Sequence, residues 1–167
     1  MKRYCFDTSG ISNPHEFAPS DIYDTLWSRV NDLILTGCFA VTTEIYDEMT
    51  HIRGTVGECI RANKLLMILE VNDSAWDWQS YVRYAATLQL KYHEYISENN
   101  GNRAGTIGLN DLSIVALAKA LDLPLVSMEK PILAADSRKR TIPNICALEQ
   151  IEHLDFNTFL RREGIKF

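Results

Sequence analysis

Short apolar runs separate longer stretches in which apolar residues recur every three or four positions. The runs at residues 3–6, 38–42 and 125–128 are rich in aromatic and β-branched residues, which is typical of buried strands. The stretches between them have the period of helices with one apolar face. Strands that alternate with helices in this way predict an α/β fold with a mainly parallel sheet.

The helical period gives approximate bounds for most of the remaining elements. Residues 20–37 open with Ser20, which can cap a helix, and stop at Gly37. The side chains of this helix predicted to face the core are Ile22, Leu26, Val30, Leu33 and Ile34. Further helices are predicted from Thr42 or Thr43 onwards and at residues 58–64, 73–99, 111–121 and 157–163.

Three segments are assigned from short patterns. Residues 145–147 predict a last strand, and residues 67–71 are interpreted as a strand, although periodicity does not distinguish that run from a helix end. Residues 7–14 contain Asp, Ser, Gly, Asn and Pro, which predict a turn after the first strand.

Length and composition favour one domain. A chain of 167 residues with 46% hydrophobic content can bury one core and leaves little room for a second. We therefore predict a single domain over residues 1–167. Its expected architecture is a three-layer α/β/α sandwich around a mainly parallel central sheet of four to five strands.

Charge and cysteine content narrow the classes of function. A net charge of −5 argues against binding to nucleic acid through bulk positive charge, although metal ions can offset clustered acids. The four cysteines include no CxxC pair, which favours reduced thiols and a cytoplasmic location. We also expect no membrane anchor and no export signal, because no apolar run is long enough.

Acidic residues follow the predicted strands. Asp7 ends the first strand, and Glu44 and Glu48 lie near the start of the helix that follows the second strand. Asp111 starts the helix before the strand at residues 125–128, and Glu129 follows that strand. Alone, Asp7 is typical of a turn and Asp111 of a helix cap. Together they predict a ligand site, since open α/β sheets bind ligands at the carboxyl ends of their strands.

Several carboxylates at one sheet edge indicate a divalent cation. Neighbouring carboxylates repel one another unless a cation compensates their charge, and oxygen ligands favour Mg²⁺ or Mn²⁺ over zinc. Such an ion can activate water and stabilise the charge that develops on a phosphodiester. Asp7, Asp111, Glu129 and one or both of Glu44 and Glu48 are therefore candidate ligands of such an ion.

Other hydrolytic chemistries lack their motifs. The four histidines form no HExxH pair, and neither a GxSxG motif nor a phosphate-binding glycine loop occurs. Ile11 stands where a DxSxS metal-adhesion motif requires Ser. Ser9 stands where a phosphatase of the haloacid dehalogenase type requires Asp.

Three segments in order, CFDTSGIS, VTTEIYDEM and NDLSIVALAKALDLPLVSMEK, resemble the PIN domain over essentially the whole chain. By that resemblance Asp7, Glu48 and Asp111 match the first, middle and helix-starting acids of the family. We therefore interpret these three as ligands of one ion, direct or through water, with Glu44 as the reserve for Glu48. Glu129 then positions a second ion or the attacking water. Glu129 departs from the pattern, in which an Asp stands at this position. Ser127 keeps the hydroxyl two residues earlier, but the acid is one methylene longer.

The resemblance implies an Mg²⁺- or Mn²⁺-dependent ribonuclease. Small bacterial PIN proteins are commonly toxins of toxin–antitoxin pairs, so an RNA substrate, a protein antitoxin and a homodimer are the implied partners. The alternative is a PIN-like fold that has lost turnover and acts as a binding or scaffold module.

Basic residues near the acids are candidates for contacts with RNA phosphates. They are Arg103, Lys130, Arg138, Lys139 and Arg140. Phosphate contacts need cations even where the net charge is negative. The alternative is that a basic run of this kind is a solvated loop.

Overall fold

The computed structural model describes residues 1–74, 76–102, 105–134 and 137–166, which fold around a parallel sheet of four strands. The strands are β1 (Tyr4–Phe6), β2 (Phe39–Ala40), β3 (Leu125–Val126) and β4 (His153–Leu154). Their order in the sheet is β2-β1-β3-β4, and each neighbouring pair is parallel. The predicted parallel sheet is confirmed.

Helices connect the strands and cover the sheet. Those of the described ranges are α1 (Ser9–Phe17), α2 (Asp24–Leu35), α3 (Thr43–Met49), α4 (Gly54–Ala62), α5 (Lys64–Met67), α6 (Trp78–Lys91), α7 (Leu109–Leu121), α8 (Ile142–Glu149) and α9 (Phe156–Arg162). This arrangement confirms the predicted α/β class and three-layer sandwich. Within these ranges no helix combines the length and the apolar character needed to cross a bilayer.

Aromatic side chains fill the core on one face of the sheet. The rings of Phe6 on β1 and Phe39 on β2 stack with their centroids 4.0 Å apart. Phe159 of α9 meets both rings edge-on, at 5.0 Å and 5.8 Å. All three side chains are fully buried. Burial of each contributes roughly 1.5–3 kcal/mol, so α9 is held firmly against the first two strands.

Helix α7 packs against the other parts of the core and is apolar on most sides. It contacts β1 and β3 and is flanked by α6 and α8. Its residues 114–118 and Leu112 are all buried. A helix that is apolar nearly all round is typical of the protein interior, so the position of α7, and of Asp111 in its first turn, is tightly fixed.

Two predicted strands are wrong. Residues 145–147 lie inside α8, where Thr141 precedes the helix and Pro143 lies in its first turn. The last strand is instead β4. In the run 67–71, Met67 ends α5, and Ile68 makes an isolated bridge to Val41. Both errors have one cause, because three to five apolar residues fit a helix turn as well as a strand.

The predicted helix over residues 73–99 is shorter than expected. Asp77 caps α6, and the helix ends at Lys91, after which come 3₁₀ turns at His93–Tyr95 and Glu98–Asn100. The side chain of Asn100 donates to the backbone carbonyls of Glu94 and Ile96. Asparagine side chains compete in this way with regular helical bonds, in keeping with the irregular turns of residues 93–100.

The first half of the chain contains two further differences. The predicted turn over residues 7–14 is the start of α1, which includes Pro14. Gly10 permits this helix to lie close to β3, because a Cβ atom there would be 2.8 Å from the carbonyl oxygen of Val126. Helix α2 begins only at Asp24, so Ile22, predicted to face the core, is 72% exposed.

The order of the strands places a crevice beside β1. The chain passes from β1 to β2 on one side of it and later to β3 on the other. In open α/β sheets the carboxyl ends of the strands at such a switch point border the ligand site. The segments that follow β1 and β3, which contain Asp7 and Glu129, therefore border the expected ligand site.

Candidate functional site

Asp7 follows β1 and is 5% exposed. Its Oδ2 accepts hydrogen bonds from the backbone N–H of Ser9, at 3.0 Å, and from Ser9 Oγ, at 2.5 Å. The same hydroxyl oxygen accepts from the backbone N–H of Met128 at 3.1 Å, so Ser9 ties the ends of β1 and β3 together. Burial raises the pKa of Asp7, the bonds from Ser9 oppose that rise, and the charge of Glu48 adds to it.

Glu48 lies on the exposed side of α3, a helix whose start is capped by Thr42. Both of its carboxylate oxygens are engaged. Thr8 Oγ1 donates to Oε2 at 2.7 Å, and Asn110 Nδ2 donates to Oε1 at 2.8 Å. Since Thr8 follows Asp7 and Asn110 precedes Asp111, these two bonds fix Glu48 between the other two acids.

Asp111 lies in the first turn of α7 and is half-buried. Its Oδ2 accepts from the backbone N–H of Gly108 at 2.7 Å. Burial is the largest cause that raises the pKa of Asp111 to about 7. The hydrogen bond from Gly108 opposes the rise, and the negative charges of Asp7, Glu129 and Glu48 add to it. The N-cap residue is Gly108 rather than Asp111, and Asp111 contributes to the cap from the third position of the helix by accepting from Gly108. Its carboxyl group also interacts with the charges of three other acids.

Glu129 lies three residues beyond β3 and is half-buried. Its Oε2 accepts from the backbone N–H of Ile142, the first residue of α8, at 2.7 Å. Burial raises the pKa of Glu129, the bond from Ile142 opposes the rise, and the charge of Asp7 adds to it. The carboxylate is therefore bound to the start of α8 while it still interacts with Asp7.

We refer to Asp7, Glu48, Asp111 and Glu129 as the acid cluster. Ion pairs in the described residues join Arg3, Lys91, Lys119 and Arg162 to other glutamates, and none includes the acid cluster. Mutual repulsion at this edge is therefore uncompensated by the described basic side chains.

The arrangement of the four carboxylates in the acid cluster limits the ways in which they could hold an ion. Across the described ranges, no three or more Asp, Glu, His or Cys side chains are arranged to hold a metal ion. Each member of the acid cluster accepts a hydrogen bond from the protein, which occupies one of its acceptor positions. Coordination of one ion by the cluster therefore requires intervening water or a rearrangement of side chains. Mg²⁺ characteristically keeps several waters and binds through one or two carboxylates, so this donor set fits it.

The reserve residue, Glu44, faces a different part of the surface. It lines a cleft of about 110 Å³ with Trp76, Trp78 and Tyr81. Burial raises the pKa of Tyr81, and the charge of Glu44 adds to that rise. The structure thus brings Glu48, rather than Glu44, to Asp7 and Asp111.

The predicted RNA contacts divide into three groups. Arg138, Lys139 and Arg140 line a cleft of about 700 Å³, which we call the polar cleft and whose other lining residues are 93–95, 99, 100, 106 and 137. Lys130 is exposed next to Glu129, and its carbonyl accepts from Thr141 Oγ1. Arg103 lies outside the described residues.

Several residues that shape the site were not predicted. Thr8 and Asn110 hold Glu48, and Ser9 holds Asp7, although each stands next to or near a predicted acid in the sequence. Glu98 accepts from the backbone N–H of Leu109 at the start of α7. Burial of Glu98 acts to raise its pKa, but hydrogen bonds to the carboxylate, including the one from Leu109, outweigh burial and lower the pKa. No sequence signal marked Glu98, because it fell inside a predicted helix.

Comparison with known proteins adds a family. No curated protein matches the chain. A family model described as a domain of unknown function (DUF4411) matches residues 4–167, which include every member of the acid cluster. On that match, the chain belongs to the DUF4411 family.

Proposed function

We propose that this protein is an Mg²⁺- or Mn²⁺-dependent endoribonuclease of the PIN type, the toxin of a toxin–antitoxin pair. In this proposal Asp7, Glu48 and Asp111 hold an ion, partly through water, and Glu129 positions a second ion or the attacking water. A bound ion would supply Lewis acidity and an activated water for attack on the phosphodiester.

The observation that carries the proposal is the environment of Asp111. A half-buried carboxyl group lies among the charges of Asp7, Glu129 and Glu48, and no described ion pair neutralises any of them. Charge of this kind at the carboxyl edge of a parallel sheet destabilises the fold unless a cation binds there. Perturbed acids in such a crevice are typical of functional sites.

The side chains around the acids provide the rest of the chemistry. Thr8 and Asn110 orient Glu48, and Ser9 orients Asp7, so the protein fixes the carboxylates without a metal. Preorganised ligands lose little freedom when an ion binds. The polar cleft carries Arg138, Lys139 and Arg140, which suit the phosphates of an RNA strand.

The direct test is cleavage of total RNA by the purified protein with Mg²⁺, with Mn²⁺ and with EDTA. Cleavage is expected only with a divalent ion, and Asp7→Ala and Asp111→Asn should each abolish it. Asp47→Ala is the matched control, because Asp47 is an exposed acid on α3 and is not among the hydrogen-bond donors to the cluster in the described residues. Equal cleavage by wild type and Asp111→Asn would refute the assignment. Growth arrest on expression, relieved by a neighbouring open reading frame, would test the toxin part separately.

A second candidate is a scaffold or binding module without turnover. Two observations favour it. The part of the chain that the structure describes contains no group of three Asp, Glu, His or Cys side chains arranged to hold an ion, and a hydrogen bond ties Glu129 to α8. A titration with Mn²⁺ separates the two functions, because an ion that binds only the folded state raises the melting temperature. An unchanged melting temperature would favour the scaffold.

A further inference from the structure

Two chain segments that line the polar cleft continue to residues that contact, or are close in sequence to, the acid cluster. One wall is the segment 93–100, which reaches the start of α7 through the bond from Leu109 N–H to Glu98. The other wall is the segment 137–140, which leads directly to Ile142, the donor to Glu129. Both walls of the cleft are therefore connected to segments that hold Asp111 and Glu129.

The cleft contains a flat cationic surface. The guanidinium of Arg140 lies 4.6 Å from the ring centroid of Tyr95, and both residues are half-buried. One guanidinium nitrogen donates to the carbonyls of Ser137 and Lys139, each at 2.8 Å. Three contacts thus fix the plane of Arg140. Guanidinium planes and aromatic rings that line a cleft are the surfaces on which unpaired bases stack.

The two walls of the cleft carry different hydrogen-bonding groups. Cationic donors line the 137–140 wall, whereas Glu94, Asn99 and Asn100 bring side-chain acceptor oxygens to the 93–100 wall. Asn100 uses its amide nitrogen for the carbonyls of Glu94 and Ile96, at 2.5 Å and 2.9 Å. Asn99 uses its amide nitrogen for the carbonyl of His93 at 3.3 Å. Each asparagine therefore keeps its side-chain oxygen for a ligand, and the Glu94 carboxylate adds two more oxygens. Over the described ranges, no protein donor reaches any of these oxygens.

This set of acceptors selects among the bases. Guanine carries two adjacent donors, N1–H and N2–H₂, on its Watson–Crick edge, whereas the other bases place an acceptor next to each donor on that edge. We propose that the polar cleft binds a guanine base, stacked on Arg140 and read by Glu94, Asn99 and Asn100. The exposed side chains of Arg138 and Lys139 then meet the phosphates of the same nucleotide.

A guanine could come from RNA or from a free nucleotide, and the position of the cleft decides for RNA. Both walls are connected to segments that hold Asp111 and Glu129, so in this proposal the guanosine belongs to the RNA strand whose phosphodiester is cleaved. This inference rests on the proposed nuclease function for the role of the bound guanosine. The base preference itself stands on the cleft alone.

The binding test uses short single-stranded RNAs with one guanosine, measured by fluorescence anisotropy in EDTA so that no cleavage occurs. Replacement of the guanosine by inosine, which lacks the N2 amino group, should weaken binding about 5- to 100-fold, as for loss of one base contact. Replacement by 7-deazaguanosine, which keeps the Watson–Crick edge, should leave affinity unchanged. Competition by GMP and AMP tests the source, and GMP that binds as tightly as the RNA would overturn the assignment to RNA.

Two variants and two controls test the residues. Glu94→Gln replaces an acceptor by a donor and should remove the preference for guanosine over inosine. Arg140→Lys keeps the positive charge but removes the planar guanidinium group. It should therefore weaken binding of every RNA that has a stacked base. Glu58→Gln and Arg29→Lys alter exposed residues of α4 and α2 and should behave as wild type. Circular dichroism checks that each variant is folded.

The outcomes separate this inference from the nuclease proposal. Cleavage without any preference for guanosine, or equal binding of guanosine and inosine RNAs, would overturn the guanine site and leave the nuclease intact. Selective binding in EDTA without cleavage under any metal condition would overturn the nuclease and leave the guanine site. Absence of RNA binding by the wild type would overturn the guanine site.

Discussion

Glu48 on α3 and Asn110 on α7 are 62 residues apart in sequence, yet Asn110 Nδ2 donates to Glu48 Oε1 at 2.8 Å. Together with the bond from Thr8, this contact joins the segment after β1, the helix after β2 and the first turn of α7 at one carboxylate. Because each donor neighbours another member of the acid cluster, the bonds set the distances between three acids. They make Glu48 the centre of the cluster's geometry.

The first prediction concerns these donors. Thr8→Val keeps the shape of the side chain but removes the hydroxyl, and Asn110→Ala removes the amide. Each change should lower metal-dependent RNA cleavage roughly 10- to 100-fold, as is typical when a residue that orients a metal ligand is lost. Thr8→Ser restores the hydroxyl and should restore most of the activity and of the Mn²⁺ affinity.

Calorimetry of Mn²⁺ binding measures the affinity part of this prediction without any RNA. Melting temperatures should change little, because both donors lie at the surface. A Thr8→Ser variant as impaired as Thr8→Val would show that the hydroxyl has no orienting role.

A second prediction is that removal of charge from the acid cluster stabilises the metal-free protein. Asp111→Asn keeps the size of the side chain and an oxygen that can accept from Gly108, and it removes a repelled carboxylate. One pKa unit corresponds to about 1.4 kcal/mol, and relaxation of the cluster reduces the full effect, so a gain of roughly 2 kcal/mol is expected at neutral pH. The melting temperature in EDTA should rise by about 4–8 °C.

The control for this experiment is Asp47→Asn, which changes an exposed acid of the same sheet edge outside the cluster. It should alter the melting temperature by less than about 2 °C. With Mn²⁺ the order should reverse, since the wild type gains stability from the ion and the Asp111→Asn variant gains less. A lower melting temperature for Asp111→Asn in EDTA would contradict the repulsion on which the proposed site depends.

The third prediction concerns pH. In the folded state the pKa of Asp111 is raised from 3.8 to about 7, so between these values the folded protein holds a proton that the unfolded chain has released. The stabilising effect of this proton is complete below about pH 4 and is lost as the pH rises to about 7. The melting temperature in EDTA should therefore fall between pH 5 and about pH 7.5, and Mn²⁺ should reduce the fall.

Differential scanning fluorimetry over that pH range, with EDTA and with Mn²⁺, measures this behaviour. The Asp111→Asn variant provides the reference, because it lacks the titrating group and should show a flatter profile. Identical slopes for wild type and variant would indicate that Asp111 does not titrate in this range.

The fourth prediction tests the scaffold rather than the site. Glu149 on α8 accepts from Lys91, Tyr92 and Lys119, which ties together α6, α7 and α8, and its side chain is only 5% exposed. Burial acts against the charged form, but the bonds from Lys119, Lys91 and Tyr92 outweigh it and lower the pKa of Glu149 to about 2. Glu149→Gln should cost about 2–3 kcal/mol, since it leaves two cations without their partner.

Glu152→Gln is the matched control, because Glu152 pairs with Arg162 at the exposed surface. Exposed ion pairs contribute about 0–1 kcal/mol, so this variant should melt close to wild type. Urea denaturation at pH 7 gives both free energies of unfolding. The stability due to Glu149 is present above about pH 4.5 and is lost as the pH falls towards 2, so the two variants should converge in acid.

The sequence alone determined the class of fold and the positions of the acids along the chain. Buried strands such as Tyr4–Phe6 and Leu125–Val126 are recognisable because they are continuous apolar runs, and the acids that follow them are adjacent in sequence. Local patterns were insufficient where a run was short, as in residues 145–147, or where side chains competed with the backbone, as at Asn99 and Asn100.

Only the tertiary structure decided which acids meet and what holds them. Sequence spacing placed Glu44 and Glu48 one helical turn apart, and long-range bonds from Thr8 and Asn110 selected Glu48. The polar cleft was equally beyond the sequence, because its walls, residues 93–100 and 137–140, come from distant parts of the chain. Contacts between remote segments depend on how the helices pack on the sheet, and no local pattern of residues encodes that packing.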